Sequence, residues 1–255
     1  MGWQTVAPGR RAQTRCPSPV PRLPAQNHLI ETLKAVDRRR LLAICDPVEL
    51  VLGEVVCEPA KSTRHVYFPI DSFVSLIATV AGSPGVEVGM VGREGMLGSQ
   101  LALGVGTTPL HAVVQGAGTA LRARAAPFRR ELALNATLRR TLDLYIAAMM
   151  AQLATSAVCL RFHEIGPRLA RWLLMSRDRA GADTFRMTHE FLAYMLGVRR
   201  AGITAAAARL QGAGLIEYRR GLLTVLDRRG LEAMACPCYA ADLHAYSDRL
   251  GSARP

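Results

Sequence analysis

The 255-residue sequence lacks the features that mark secreted and membrane proteins. Its six cysteines are too few and too scattered for a disulfide framework, which fits a reducing cytoplasm. No stretch reaches the roughly 18 consecutive apolar residues that a membrane span needs, and the nearest run, at 145–151, ends at Gln152. We therefore expect a soluble, cytoplasmic protein without a membrane partner.

Motifs of common enzyme classes are also missing. The histidines are isolated, and the sequence contains neither a Gly-x-Ser-x-Gly elbow nor a His-Glu-x-x-His run. No paired carboxylates share a helix face with a nucleophile. We therefore do not expect an enzyme, and we assign no cofactor.

Lysine is almost absent, because only Lys34 and Lys61 occur among 32 basic residues, against 20 acidic ones. The net charge of +12 favours a polyanionic partner, nucleic acid first and an anionic membrane surface second. Arginine forks bind phosphates and guanine edges well, although the codon bias of a GC-rich genome explains the arginine excess equally well. Residues 161–229 alone carry a charge of +7, which indicates a phosphate-facing surface there.

The first half of the chain divides into segments of different composition. Residues 1–25 hold four arginines, no acid and several prolines without the apolar core of a signal peptide, which predicts a disordered basic leader. Residues 26–133 begin with a short helical pattern and continue as Val/Ile/Leu-rich runs separated by turns, which predict a β-roll or sandwich domain. The glycines at 89–98 would let backbone amides approach a ligand, although dense glycine more often makes tight turns.

Residues 134–160 contain no glycine or proline and predict one helix of roughly 40 Å. One apolar face includes Leu142 and Met149, and a second includes Leu138 and Tyr145, so the helix has more apolar surface than one neighbour needs. We expect one face to meet a second copy of the chain in a homodimer. A core helix buried within a monomer is the alternative that periodicity leaves open.

The most basic segment, 161–235, predicts a winged helix-turn-helix. Thr188 has the chemistry to cap a short helix, and Gly197 permits the sharp turn after it. Residues 199–211 form a second helix, and 215–227 predict two strands joined by a basic turn. Together, in this order, the pieces predict a DNA-binding domain.

Residues 236–255 are expected to form a C-terminal tail. Cys236 and Cys238, with His244 nearby, could be half of a metal site. However, their spacing lacks the usual two intervening residues, and no second pair follows. We therefore expect structural cysteines and no metal.

Over roughly residues 27–240, the sequence resembles the Crp/Fnr transcription regulators, specifically members with an atypical, degenerate effector domain. The motifs that carry the resemblance are RLARWLLM at 168–175, THEFLAYMLGVRR at 188–200, GLI at 214–216, HVYFP at 65–69 and VGREGMLG at 91–98. The resemblance implies an α+β fold with an N-terminal β-roll like a cyclic-nucleotide-binding domain, a long dimerisation helix and a C-terminal winged helix-turn-helix.

The resemblance also bears on the effector. The family pocket carries a Gly-Glu pair for the ribose and an Arg-Ser/Thr-Ala clamp for the cyclic phosphate, where this sequence has Gly98-Ser99 and Leu110-His111-Ala112. Because the arginine fork is missing, we do not expect cyclic AMP to bind in the usual way. The candidate effector residues are Arg93, Gly98, Ser99, His111, Thr155 and Ser156.

Simpler readings of some of these residues stay open. His111 fits a histidine satisfied within a sheet, and Thr155-Ser156 fits hydroxyls bonded to their own helix backbone. The family's oxygen sensors hold an iron–sulfur cluster through a group of cysteines near the N-terminus, where this sequence offers Cys16 alone, so we expect no such cluster.

The resemblance and the charge together predict that helix 199–211 of each subunit enters the major groove of double-stranded DNA, with Arg200 reading guanine as a bidentate fork. We assign contacts with phosphates or neighbouring base edges to five further residues, Arg199, Thr204, His189, Arg219 and Arg220. RNA polymerase would be a further partner, although its contacts have no readable signature in the sequence. The alternative is an effector-binding regulatory module that acts through protein partners without DNA binding.

Overall fold

A computed structural model describes residues 27–82 and 84–251. The predicted basic leader, 1–25, lies outside the described residues. Within them the chain forms an N-terminal β-roll, a long helix and a C-terminal domain of helices with a small sheet. This architecture confirms the predicted α+β fold class.

The β-roll consists of two antiparallel sheets preceded by two short helices. The sheets have the strand orders β1-β7-β3 and β2-β6-β4-β5. The bounds are α1 His28–Glu31, α2 Ala35–Leu42, β1 Cys45–Leu50, β2 Val55–Cys57, β3 His65–Pro69, β4 Phe73–Ala78, β5 Val86–Val91, β6 His111–Gly116 and β7 Gly118–Arg124. A 3-10 helix at Ser99–Leu103 joins β5 to β6.

The alternating burial of side chains along β3 shows which of them form the core of the roll. Val66 and Phe68 are buried, whereas Tyr67 between them is half-buried, as expected for a strand with one face on the core. The Phe68 ring meets the edge of the Phe128 ring at 6.4 Å between centroids. Phe128 belongs to α3, Ala125–Leu134, so this helix closes the roll.

The long helix, α4, spans Ala136–Phe162. It begins two residues later than the pattern predicts, because Asn135 separates it from α3 and accepts a 2.9 Å bond from the Leu138 amide as N-cap. By length and composition α4 could cross a membrane. However, its buried residues, Tyr145 among them, pack in the interior of the roll, as in a core helix of a soluble protein.

The C-terminal domain has a third sheet, in the strand order β8-β10-β9. Its bounds are α5 Ile165–Ala180, β8 Thr184–Arg186, α6 His189–Leu196, α7 Arg200–Gly212, β9 Ile216–Arg219, β10 Leu222–Val225, α8 Arg228–Met234 and α9 Cys238–Leu250. The segment expected as a tail thus contains helix α9. This helix packs along α4, where the Tyr246 and Tyr145 rings lie 6.4 Å apart.

The two domains share one interior. Phe73, Ile77 and Met90 of the β-roll belong to the same buried cluster as the apolar residues of α5 to α7. Trp172 of α5 donates its indole N–H to the Glu87 carboxylate of β5 at 2.9 Å. Helices α5 to α7 therefore pack against the β-roll in this structure.

Candidate nucleic-acid interface

The turn between α6 and α7 follows from three local features. The Thr188 hydroxyl caps α6 by accepting a 3.1 Å bond from the Phe191 amide. Gly197 ends α6 in the left-handed region, with φ +63°, where a side chain would be strained. After two intervening residues α7 begins at Arg200, so the two helices form the helix-turn-helix that the sequence predicts.

Helix α7 divides into a buried and an exposed face. Ile203, Ala206, Ala207 and Leu210 are buried against the domain. Arg200 and Thr204 are exposed, together with the small alanines between and after them. Small exposed side chains let the helix approach another surface closely, and the arginine provides two parallel donors at its N-terminal end.

His189 connects α6, α7 and the small sheet. Its Nδ1 lies 3.0 Å from the Thr204 hydroxyl oxygen, and that hydroxyl donates to the Arg200 carbonyl oxygen at 3.1 Å. The imidazole also stacks on the Tyr218 ring, with centroids 4.4 Å apart and planes at 22°. His189 Nε2 is buried and has no hydrogen-bond partner among the described residues.

Burial, helped by the nearby Arg200 charge, lowers the pKa of His189 below its usual value and favours the neutral ring. Because the Thr204 hydroxyl uses its proton toward the Arg200 carbonyl, the neutral ring donates from Nδ1. His189 therefore belongs to the contact between α6 and α7, and in this tautomer its Nδ1–H donor is used within the domain.

The wing is the hairpin of β9 and β10. Arg219 and Leu222 pair across it, which leaves a two-residue loop of Arg220 and Gly221. Both loop residues have positive φ, +49° and +79°, as a tight primed hairpin turn requires. An arginine is strained there, so the loop holds its guanidinium at the tip at some cost in stability.

Five of the six residues assigned to DNA are exposed, whereas His189 is half-buried. The five are Arg199, Arg200, Thr204, Arg219 and Arg220. Arg219 also pairs with Glu217 at 3.0 Å, which orients its guanidinium in the free protein.

Sequence reasoning missed one basic residue next to the wing. Arg186 of β8 is exposed and pairs in register with Leu222 of β10. The three residues of β8 are too few to show an alternating pattern, so only its pairing partner reveals the strand.

The six candidate effector residues lie at separate places. Ser99 begins the 3-10 helix, and Gly98 before it, with φ +90°, packs against Val66. The Ser156 hydroxyl accepts a 3.4 Å bond from Arg171, and Thr155 precedes it on α4.

Arg93 and His111 occupy two further sites. The Arg93 carbonyl accepts from the His28 amide at 2.7 Å, and its guanidinium lies near Gly181. His111 lines a mainly apolar cavity of about 700 Å³ between the four-stranded sheet of the roll and α6, with Ile77, Phe191 and Tyr194.

Comparison with known proteins identifies the C-terminal domain. Residues 167–234 match the Crp-like helix-turn-helix domain. No curated protein matches the chain.

Several solved structures share the fold over about three quarters of the chain. The structure of FixK2 from Bradyrhizobium japonicum is 13% identical with a TM-score of 0.64, covering 76% of this chain and 98% of that one. The c-di-GMP responsive regulator CLP of Xanthomonas campestris is 17% identical with a TM-score of 0.61, covering 76% of this chain and 100% of that one. TTHB099, a CRP family regulator of Thermus thermophilus, is 17% identical with a TM-score of 0.60, covering 74% and 96%. The chain therefore carries a Crp-like helix-turn-helix domain within the fold of the Crp/Fnr transcription regulators.

Proposed function

We propose that the protein is a homodimeric, sequence-specific DNA-binding transcription regulator without enzymatic activity. The observation that carries this proposal is the exposed face of α7, with Arg200 and Thr204, in a domain that matches the Crp-like helix-turn-helix model. The same domain is the most basic part of the chain, which supports a polyanionic partner.

In this proposal α7 lies in the major groove and its N-terminal turn reads base edges. Arg200 forms the bidentate contact to guanine, because the O6 and N7 acceptors of guanine match the two parallel donors of a guanidinium. Arg199 at the helix start and Arg219 and Arg220 in the wing contact phosphates. Thr204 is within reach of a base edge, whereas His189 holds α7 in position.

Exposed apolar residues on α4 support the dimer. Met150, Val158 and Phe162 are 66%, 49% and 71% exposed, and Ala154 completes a stripe with a spacing of four residues. Such a stripe lies on one helix face and is typical of a helix pair. A twofold dimer would place the two α7 helices in successive major grooves, about 34 Å apart.

A small effector bound by the β-roll domain would regulate the dimer by shifting it between two arrangements. The absence of an arginine from Leu110-His111-Ala112 supports a binding mode other than that of cyclic AMP. The candidate effector site is the cavity that His111 lines between the roll and α6. An effector bound there would contact both domains.

RNA polymerase is a partner in this proposal, since a regulator bound at a promoter acts on transcription through it. The competing proposal is a module that acts through protein partners without DNA. The exposed arginines of α7 and the wing favour DNA over it.

Selection of bound duplexes from a random library tests the proposal. We expect the full chain to enrich a pseudo-palindrome whose half-sites are separated by about one helical turn or a multiple of it. A complementary sedimentation measurement should give twice the chain mass. Failure to retain any duplex at low salt would overturn the proposal and favour action through protein partners.

A further inference from the structure

Three cysteines and a histidine converge where the long helix ends. Cys159 lies in the last turn of α4, and His163 is the residue that ends it. Cys236 and Cys238 belong to the connection from α8 into α9. The three Sγ atoms and one histidine ring nitrogen all lie within 4.8 Å of one another, although the pairs are more than 70 residues apart in sequence.

The measured separations match a single tetrahedral ion. Cys159 Sγ and Cys236 Sγ are 3.5 Å apart, and Cys238 Sγ is 3.4 Å from His163 Nδ1. Zinc bonds of about 2.3 Å to sulfur and 2.0 Å to nitrogen place neighbouring ligand atoms of a tetrahedron about 3.5–3.8 Å apart. Two of the six ligand pairs therefore already have tetrahedral spacing, and the remaining pairs, which lie within 4.8 Å, would have to approach by at most about 1 Å around an ion.

Other uses of the cysteines fit the geometry less well. A disulfide bond needs sulfur atoms about 2.05 Å apart, and the described cysteines are all free thiols. The ligands of an iron–sulfur cluster bind different irons and are spread wider than the ligands of one ion. A single thiophilic cation remains the best match to four donors this close together.

Burial and charge favour a closed site. Cys159, Cys236 and Cys238 are 3%, 4% and 5% exposed, so four protein ligands would surround the ion without an open position for substrate. Three thiolates, a neutral imidazole and a divalent cation carry a net charge of −1. Arg168, which lines the same small cavity as Cys159, supplies compensating positive charge, whereas the charge of Arg171 is already paired with Asp242 at 2.6 Å.

We propose that Cys159, His163, Cys236 and Cys238 bind one Zn²⁺ ion in a structural site. On binding, each cysteine thiol releases its proton to solvent and the imidazole binds as the neutral ring. This replaces the expectation that the cysteines only pack. His244, the partner considered from sequence, lies instead beside Asp248 at 3.2 Å.

The proposed ion would join parts of the molecule that are distant in sequence. It would tie the end of α4 to the connection between α8 and α9, at the point where the chain passes from the long helix into the DNA-binding domain. Binding should therefore restrict how the DNA-binding domain moves relative to the helix.

Metal titration of the purified full chain tests the site. After removal of bound metal with a chelator under reducing conditions, we expect one Zn²⁺ per chain to bind and raise the melting temperature. Co²⁺ should bind with the same stoichiometry and give the intense visible bands of tetrahedral sulfur-rich coordination. An octahedral Co²⁺ spectrum, or no stoichiometric binding, would overturn the proposal.

Matched cysteine variants locate the ion. Cys236→Ser and Cys159→Ser should each weaken Zn²⁺ binding by at least about 100-fold, since loss of an outer partner alone costs 10–100-fold. Cys45→Ser and Cys57→Ser remove thiols outside the cluster and should bind like the unchanged chain. Equal loss in both sets would disprove the assignment.

A folding control keeps this test decisive. Circular dichroism of the metal-free variants reports whether they fold. If coordination is the cause of the losses, Cys238→His, which replaces one ligand with another, should keep most of the Zn²⁺ affinity. No DNA is present in these measurements. A failure to bind metal is thus distinguishable from a failure of the proposed DNA-binding function.

Discussion

The Nδ1 atom of His189 lies 3.0 Å from the Thr204 hydroxyl oxygen, which joins the two helices of the helix-turn-helix. Since Thr204 also donates to the Arg200 carbonyl oxygen, the network ends at the backbone of the residue proposed to read guanine. His189 thus contacts the first turn of α7 through Thr204, and its assignment to phosphates or neighbouring base edges stays a prediction.

Replacing His189 with Phe should weaken specific DNA binding about fivefold. Phenylalanine keeps the stack on Tyr218 but loses a hydrogen bond worth about 1 kcal/mol. Binding titrations over a range of salt concentrations measure the effect. The salt slope should not change; a slope reduced by about one would instead mean that His189 contacts a phosphate.

Arg200→Ala and Arg219→Ala should affect DNA binding in different ways. Loss of Arg200 should cost about 1–3 kcal/mol on the preferred site and relax its sequence preference. Loss of Arg219 should weaken all duplexes alike and lower the salt slope by about one. Competition between specific and random duplexes separates them, and equal losses with unchanged preference would contradict the assignment.

Arg220→Asn should stabilise the fold and weaken DNA binding. Asparagine adopts positive φ more readily than arginine, so the wing turn should gain about 1 kcal/mol in the free energy of unfolding. The same change removes a guanidinium at the wing tip. Thermal unfolding and a DNA titration on one preparation give both values; unchanged DNA affinity would remove Arg220 from the interface.

The helix faces and the hairpin could be predicted because they depend on local patterns. Ile203 and Leu210 are buried as the 3.6-residue period requires, and the turn at Gly197 follows from one residue's backbone freedom. The packing of α9 on α4 could not be predicted, since it depends on Tyr246 meeting Tyr145 across a long sequence separation.

The cysteine cluster was missed for a similar reason. Cys236 and Cys238 were considered with His244 because it is near in sequence, whereas the fold brings Cys159 and His163 to them. Likewise, the relative positions of the effector candidates could not be predicted, because they depend on how the strands and α4 pack; their role stays a prediction.

Glu87 should give the protein a measurable pH dependence of stability. Burial raises the pKa of this carboxyl from 4.5 to about 7, despite hydrogen bonds from Ser75 and Trp172 that favour the charged form. A raised folded-state pKa stabilises the fold below pH 4.5, and this contribution is lost as the pH rises through about 7.

The pH dependence can be isolated with Glu87→Gln. The difference in unfolding free energy between wild type and the variant should change by on the order of 2 kcal/mol between pH 4.5 and 7.5, in the direction of weaker wild type at high pH. Denaturant unfolding at several pH values measures it. A flat difference would show that the Glu87 carboxyl titrates normally.

Val158→Glu should dissociate the proposed dimer. The substitution places a charge in the exposed apolar stripe of α4, where a partner helix would have to bury it. We expect the dimer dissociation constant to rise by about 100-fold or more, with parallel loss of binding to palindromic DNA. Val51→Glu, at an exposed apolar residue outside α4, is the matched control; an unchanged dimer would place the interface elsewhere.

The indole of Trp172 lies where the two domains meet, so its intrinsic fluorescence should report on the conformation of the protein. Its emission depends on whether water reaches the ring, so separation of the domains would shift the spectrum to longer wavelengths. The sequence holds only one other tryptophan, Trp3. With that residue changed to phenylalanine, a single natural fluorophore would report in real time how DNA, metal or a small molecule moves one half of the chain against the other.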